Sequence, residues 1–511
     1  MSQESISFVD DEIFQHDAAC TFAASEPQLR LKNKHLVERF LREPNSRRSL
    51  LLWLENSGAS LPRLDKQSIY PLLLKAVNEI DRKIAQQLNA IIHHPSVQQL
   101  EASWRGVLYL VEQKQRCDKS ERVKVKLLDC SWKTLSKDIN KAIEFDQSEF
   151  FKLIYNNEFD MSGGEPFGVV VGDYMIGNRQ YGGQGFNDIE VLKEISRTAA
   201  AAFAPFISSV SPTFFGADDF SDLAVSTHYA DTFEQPEYIK WHAFRRMDDA
   251  RFIGLTLPQI LMRPPYRIDG LRSEGFKFKE QISQPQRDHL WGNAAYAFAG
   301  ILIRAFTESG WFGQIRGMQP GQKKKGLVSD LPVCQYETDL HRKTSKPSVN
   351  LLVTDSAEKS LSDQGFIPLS PIPGCEHLVF YSNASVQKPQ QYERLEESIN
   401  AKLSAMLQYI LCVSRFAHYI KVLGRDKVGS SLSAEQCQSE LQKWLHQYTT
   451  ASESASDEIR SKYPLRSAQV QVKEMRGKPG HFYSIIQLQP HFQLDQMVSS
   501  IKLVTELTPR N

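Results

Sequence analysis

No stretch of the sequence reaches about 18 consecutive apolar residues, so no segment reads as a membrane-spanning helix. The opening MSQESISFVDDEIFQHD is acidic and lacks the apolar centre of a secretory leader. Cysteines occur at 20, 117, 130, 334, 375, 412 and 437; none form a C-x-x-C pair and their number is odd. That excludes a disulfide scaffold or zinc module and suits a reducing cytoplasm. Excess charge is missing too. Lys plus Arg number 61 against 60 Asp plus Glu, a formal net charge of +1. Nothing global draws such a chain to nucleic acid or an anionic membrane, and self-repulsion is too weak to oppose self-association.

Catalytic signatures are equally scarce. SGGEPFG (162–168) precedes a strand instead of opening a helix and lacks the Lys-Ser/Thr of a phosphate loop. GNRQYGGQG (177–185) has glycines without the dinucleotide-binding spacing and reads as a loop, as does the Lys323-Lys324-Lys325 tip. His93 and His94 are adjacent, so on a helix they point apart and make a poor metal pair. There is no H-E-x-x-H, G-x-S-x-G or calcium-loop pattern. Arg415, His418 and Asp426 read as a structural hydrogen-bond network on an apolar helix. The expectation is a non-enzymatic chain with no cofactor and no metal.

What is present is globular patterning. At 511 residues, 41% of them hydrophobic, the chain has the makings of several domains. Residues 1–66 read as an arm with short helices. Its basic cluster (Arg30, Lys32, Lys34, Arg39, Arg42, Arg47, Arg48) is expected to be a solvated face, and Ser57-Gly58 is a helix stop. Residues 67–375 begin with a helix carrying Leu73, Val77, Ile80, Ile84, Leu88 and Ile91. Past Pro95, a Ser96/Gln99 capping box starts a second helix with Leu100, Trp104, Val107, Leu108 and Val111, suggesting an antiparallel pair. RVKVKLL (122–128) alternates as a strand, and FGVVVGDY (167–174), PFISSV (205–210) and SVNLLVTD (348–355) read as buried strands. A helix capped by Asn187 lies between the second and third of these four, which predicts a crossover unit in a mixed sheet. Another helix is expected over 287–309. Residues 376–495 predict a strand plus loop at 378–389, a long helix over 393–423, a helix capped by Ser433/Gln436, and a hairpin of AQVQVKEM (468–475) and FYSIIQLQ (482–489). Residues 496–511 hold a lone alternating strand, Ile501, Leu503, Thr505 and Leu507, whose backbone must pair within its own sheet or with a neighbour's. The fold class is mixed α+β or α/β, multi-domain, with helices flanking mixed sheets.

Many segments in order carry a resemblance. They are ASWRG (102–106), EFDQSEFFKLIYNNEF (144–159), GGEPFGVVVGDY (163–174), APFISSVSPTFFG (204–216), DDARFIGLTLPQILMRPPY (248–266), LWGNAAYAFA (290–299), GFIPL (365–369), SVQKP (385–389), RFAHYIKVLGRDKVG (415–429) and KPGHFYSIIQLQPHFQLD (478–495). From Asp65 onward the chain resembles the large subunit of the type VI secretion contractile sheath (the TssC or VipB family). The resemblance implies a tail-sheath-like architecture with extended terminal arms. It implies partners: a small sheath subunit (TssB or VipA), further copies in a helical lattice, an Hcp inner tube, a baseplate, and a ClpV-type AAA+ ATPase that dismantles the contracted sheath. It implies a cytoplasmic protein that neither binds nucleic acid nor inserts into membrane. It also implies that Ile501, Leu503, Thr505 and Leu507 add as a strand to a neighbour, and that the 433–448 helix, through Leu441 and Trp444, faces the inner tube. Residues 1–64 depart from the family pattern, so the alternative is a divergent, non-polymerising paralogue that caps or regulates the sheath.

Overall fold

The computed structural model describes residues 35, 37–56, 66–161, 163–178, 187–224, 232–268, 275–313, 315–317, 326–339, 342–372, 374–427, 433–452, 457–474, 482–491 and 501–507. Most of the 177–185 loop, Lys323–Lys325 and the basic residues Arg30, Lys32 and Lys34 lie outside them, as does the side chain of Asp426. The chain divides into two compact units, Met1–Lys83 and Ile84–Asn511. The first contains helix α1 (Ser46–Asn56) and the start of α2 (Lys66–Ile92); the expected stop at Ser57-Gly58 lies outside the described residues. Arg39, Arg42, Arg47 and Arg48 are exposed, as a solvated face requires.

The second unit opens with α3 (Pro95–Cys117). Its cap is not the expected Ser96/Gln99 box. Pro95 takes the first helical position and the His94 ring accepts the Ser96 N–H at 3.3 Å. The 122–131 segment is extended but joins no ladder. Val123 packs on one core and Cys130 on the other, with the Tyr174 hydroxyl donating to Cys130 O at 2.7 Å.

Helix α4 (Trp132–Lys141) leads to the main sheet. Strand β1 (Val170–Ile176), α5 (Asp188–Ala202) and β2 (Phe206–Val210) make the expected crossover, with the Asn187 side chain accepting the Ile189 N–H. Strands β3 (Ile253–Leu257), β4 (Ile260–Arg263) and β5 (Leu290–Gly292) follow, then α6 (Ala295–Ser309), β6 (Leu327–Val328), the β7–β8 hairpin (Cys334–Asp339, Arg342–Lys346), α7 (Asp355–Asp363), β9 (Ile367–Pro371) and β10 (Leu378–Phe380). The six-stranded sheet runs β1-β2-β3-β9-β10-β6, parallel through β9 and antiparallel beyond it. One of its strands, β10, lies past residue 375, so this sheet extends to Phe380. Adjacent residues of β2 face opposite ways: Phe206 enters the core beneath α5, Ile207 the core beneath α3 and α6.

Three expectations shift in detail. Leu290 belongs to β5, because Asn293 breaks the 287–309 helix and restarts it by accepting the Ala295 N–H at 2.8 Å. Residues 348–355 are buried at Val349, Leu351 and Val353 but meet β4 at a single bridge, since Asn350 trades bonds with Gln259 instead. The 393–423 helix is two helices, α8 (Leu395–Ser404) and α9 (Leu407–Lys427). At the break Ala405 O accepts the Ser385 hydroxyl and Leu407 N–H bonds Asn383 O. Helix α10 (Ala434–His446) has the predicted Ser433/Gln436 box, and β11 (Leu465–Glu474), β12 (Phe482–Pro490) and β13 (Ile501–Leu507) form a three-stranded antiparallel sheet.

Candidate assembly surfaces

Helix α3 is apolar on two faces. One face, Ala102, Gly106, Tyr109 and Leu110, is buried against α6. The fit is reciprocal: a Cβ on Gly106 would sit 2.3 Å from the Tyr296 ring, and one on Gly300 would sit 2.7 Å from Tyr109. The other face carries Val97, Leu100, Trp104 and Leu108 at steps of three and four. Leu100 is 62% exposed, Trp104 63% and Leu108 51%. Ile84 and Ile91 of α2 are open as well. The stripes that an antiparallel pair would bury on each other are thus exposed among the described residues. A second apolar stripe this exposed calls for cover.

Helix α9 ties the C-terminal elements to the main sheet through a row of basic side chains at helical spacing. His418 Nε2 meets Ala202 O at 2.9 Å, and Lys421 Nζ donates to Ala201 O at 3.4 Å, both at the carbonyl end of α5. Arg425 donates to Phe159 O at 3.3 Å, at the end of a π-helical turn spanning Lys152–Asp160. Helix ends of this polarity favour donors and positive charge. Lys421 also lies over the rings of Tyr155, Phe159 and Phe203, 4.8, 4.8 and 5.0 Å from their centroids. Arg415 donates to His418 Nδ1 at 3.3 Å, so the imidazole is neutral with its proton on Nε2. Burial, reinforced by Arg415, pushes His418 down to about 3. The Arg415–His418 network expected from sequence is therefore present.

A pH prediction follows from that depression. The unfolded histidine takes up a proton below its ordinary value near 6.5 while the folded one does not. Stability present above that pH is lost on acidification, by at most about 1.4 kcal/mol per pH unit. In melts between pH 7.5 and 5, His418→Gln should shrink the acid loss relative to wild type; equal slopes would assign the loss to other groups.

Helix α10 packs on β11. Leu441 and Leu445 are buried, and Trp444 is half-buried with its ring 6.1, 6.0 and 5.2 Å from Phe416, Tyr419 and Tyr448. Leu441 and Trp444 thus turn inward. The solvent face of this helix is Glu435, Ser439, Glu440, Lys443 and His446.

The terminal strand, in the single chain, is the third strand of its own sheet. Ile501 pairs with Leu488, Leu503 with Ile486, Thr505 with Ser484 and Leu507 with Phe482. The opposite edge, β11, is occupied by α10 and the turn after it. Leu465 exchanges bonds with Tyr448 O (3.2 Å) and Thr450 N (2.9 Å). Gln442 Nε2 donates to Ala468 O at 2.8 Å while its Oε1 accepts from Val470 N at 2.9 Å, and Gln438 Oε1 accepts from Val472 N at 3.0 Å. Sequence reasoning passed over both glutamines. The only signal was their spacing of four on a helix preceding an alternating strand, which does not reveal what they touch.

Among the described residues no group of three or more His, Cys, Asp or Glu side chains could hold a metal, and no helix is long and apolar enough to cross a membrane.

Residues 74–387 match the family described as EvpB/VC_A0108, tail sheath N-terminal domain, and residues 396–507 match EvpB/VC_A0108, tail sheath gpW/gp25-like domain. The type VI secretion system sheath protein TssC1 of Pseudomonas aeruginosa is 36% identical over 432 residues, 84% of each chain. A crystal structure of a sheath tail protein from Desulfitobacterium hafniense aligns over 63% of this chain and 61% of that one, at 8% identity and a TM-score of 0.30.

Proposed function

The chain belongs to the type VI secretion contractile-sheath large-subunit family, and from that premise we propose that it is a structural building block, pairing with a small sheath subunit and polymerising in the bacterial cytoplasm around an Hcp inner tube on a baseplate. The observation that carries this reading is the match of both sheath domains in series along one chain. Its work is mechanical. A lattice with two packings of similar energy stores a free-energy difference per subunit, and collapse from the extended to the contracted packing drives the tube outward. A ClpV-type AAA+ ATPase then takes the contracted lattice apart. The chain performs no catalysis in this scheme.

Subunits that rotate during collapse need connections that survive it. Main-chain strand pairing does this, because the ladder persists while its linker swings. The register that β13 adopts on β12 is equally available to β13 of a neighbouring copy, so exchange keeps every backbone bond. Deleting residues 498–511 should therefore leave the heterodimer intact and abolish polymers on co-expression with the small subunit, read by negative-stain microscopy. Full-length sheaths from the truncated chain would rule the interlocking role out.

A second reading has one observation behind it. The family match begins at residue 74, leaving the basic arm outside it. A capping or regulatory paralogue would use that arm. Wild-type co-expression separates the two: tubes support the building block, and heterodimers that never polymerise support the paralogue.

A further inference from the structure

We propose that Gln438 and Gln442 are an edge guard: they close the β11 side of the C-terminal sheet, so that a strand from a second copy of this chain can join only on the β13 side. This rests on the reading that subunits connect by strand addition. The geometry is that of a ladder made by side chains. One amide, Gln442, donates to the carbonyl of residue 468 and accepts from the N–H of residue 470. A residue of a parallel strand bonds its neighbour in the same way, to i−1 and i+1. Gln438, one turn earlier on α10, accepts from residue 472, the next outward N–H. The main chain at Tyr448 and Thr450 covers Leu465. The pairing register of β11 with β12 shifts between Leu465 and Ser467, which brings both the odd-numbered Leu465 and the even-numbered Ala468, Val470 and Val472 to the outer edge.

Without the guard, the sheet would offer two edges. An exposed β11 can pair with β11 of another molecule about a two-fold axis, and such an isologous contact closes on itself and ends growth. With β11 occupied, the remaining edge is β13, which among the described residues pairs with β12 alone. Addition at one edge only is heterologous, and repeats head to tail into a helical lattice. The guard costs little elsewhere. Leu441 and Leu445 on the same helix pack the core independently of the amides, and both glutamines stay half-exposed at the rim.

The test uses the full chain co-expressed with the small sheath subunit. In the Gln438→Leu/Gln442→Leu double variant, amide exchange at Val470 and Val472 of the dilute heterodimer should quicken about tenfold, the loss of one hydrogen bond each. Its mass by light scattering should rise toward a doubled species with concentration, and regular sheaths should give way to short or aggregated forms. Adding Val472→Pro, which removes an outward N–H, should return mass and morphology toward wild type. A double variant that loses protection at Val470 and Val472 yet keeps the wild-type mass and sheaths overturns the proposal, as does failure of the proline to reverse the change. If the double variant does not fold, Gln442→Glu, similar in size but unable to donate to Ala468 O, should raise the mass to a smaller degree, and an unchanged mass is likewise fatal. Failure of the wild-type pair to form tubes would instead sink the sheath reading, while the mass comparison still decides the guard.

Discussion

A single methyl group at position 106 is expected to destabilise the fold by about 1–3 kcal/mol, and the β-branched Gly106→Val by more, read as a lower midpoint in chemical denaturation. The cause is the close approach of α3 and α6. An alanine Cβ would fall 2.3–2.6 Å from three carbons of the Tyr296 ring. That ring cannot swing clear cheaply, because it is buried. Asp173 of β1 accepts the Ser103 hydroxyl of α3 at 2.5 Å, which anchors the helix and limits its retreat from the ring. Pairing Gly106→Ala with Tyr296→Leu should recover part of the loss, giving a coupling energy in a double-mutant cycle. Additive effects would show that the two positions do not meet. The defect should extend beyond stability, because α3 also presents Leu100, Trp104 and Leu108 to whatever covers them.

The second large effect is expected at Glu280. Its side chain is 1% exposed and that of Arg263 5%. Arg263 donates to it at 2.6 and 3.3 Å, Tyr266 N–H at 2.8 Å, and the His93 ring lies 3.1 Å away. Arg263 also reaches Glu101 of α3 at 3.0 Å and stacks 4.1 Å from the Tyr266 ring. Glu280→Ala leaves a buried guanidinium short of its main partner and should cost about 3–5 kcal/mol in denaturation midpoint and slope. Glu280→Gln keeps an acceptor for Tyr266 N–H and should cost less. Burial by itself would raise this carboxyl, but the Arg263 and Tyr266 bonds outweigh it and hold it below the usual carboxylate range. A depressed carboxylate stabilises above its unfolded pKa, and the contribution disappears as pH falls through the folded one. The Ala variant should therefore lose less than wild type between pH 5 and 3. If its stability falls just as steeply, the pair is not what acid disrupts.

Much of this was legible without coordinates. Asn187 ahead of Ile189, Leu192 and Ile195 announces α5, because a capping side chain and an apolar face at helical spacing are both local. The continuous runs at 167–174 and 205–210 become β1 and β2 for the same kind of reason. Local pattern failed where the partner lay far off. Val123 and Val125 alternate as strand residues do, yet they join no ladder among the described residues. Leu441 and Trp444 could have faced outward or inward from their spacing alone; packing against Phe416, Tyr448 and β11 turned them inward.

By itself, then, the sequence determined the mixed α/β class, the order of most elements, the lack of recognised catalytic motifs and the family. The first three depend on composition and on short-range periodicity, which each segment carries within itself, and the family on the resemblance of many segments in order. Tertiary structure alone decided which edges of the sheets are covered, that Gly106 and Gly300 must be glycine, that Arg263 and Glu280 pair across the core, and that two glutamines of α10 stand in for a strand. Each of these joins residues distant in the chain, and close approach or hydrogen bonding between such residues is set by the packing of whole elements, which no local pattern encodes.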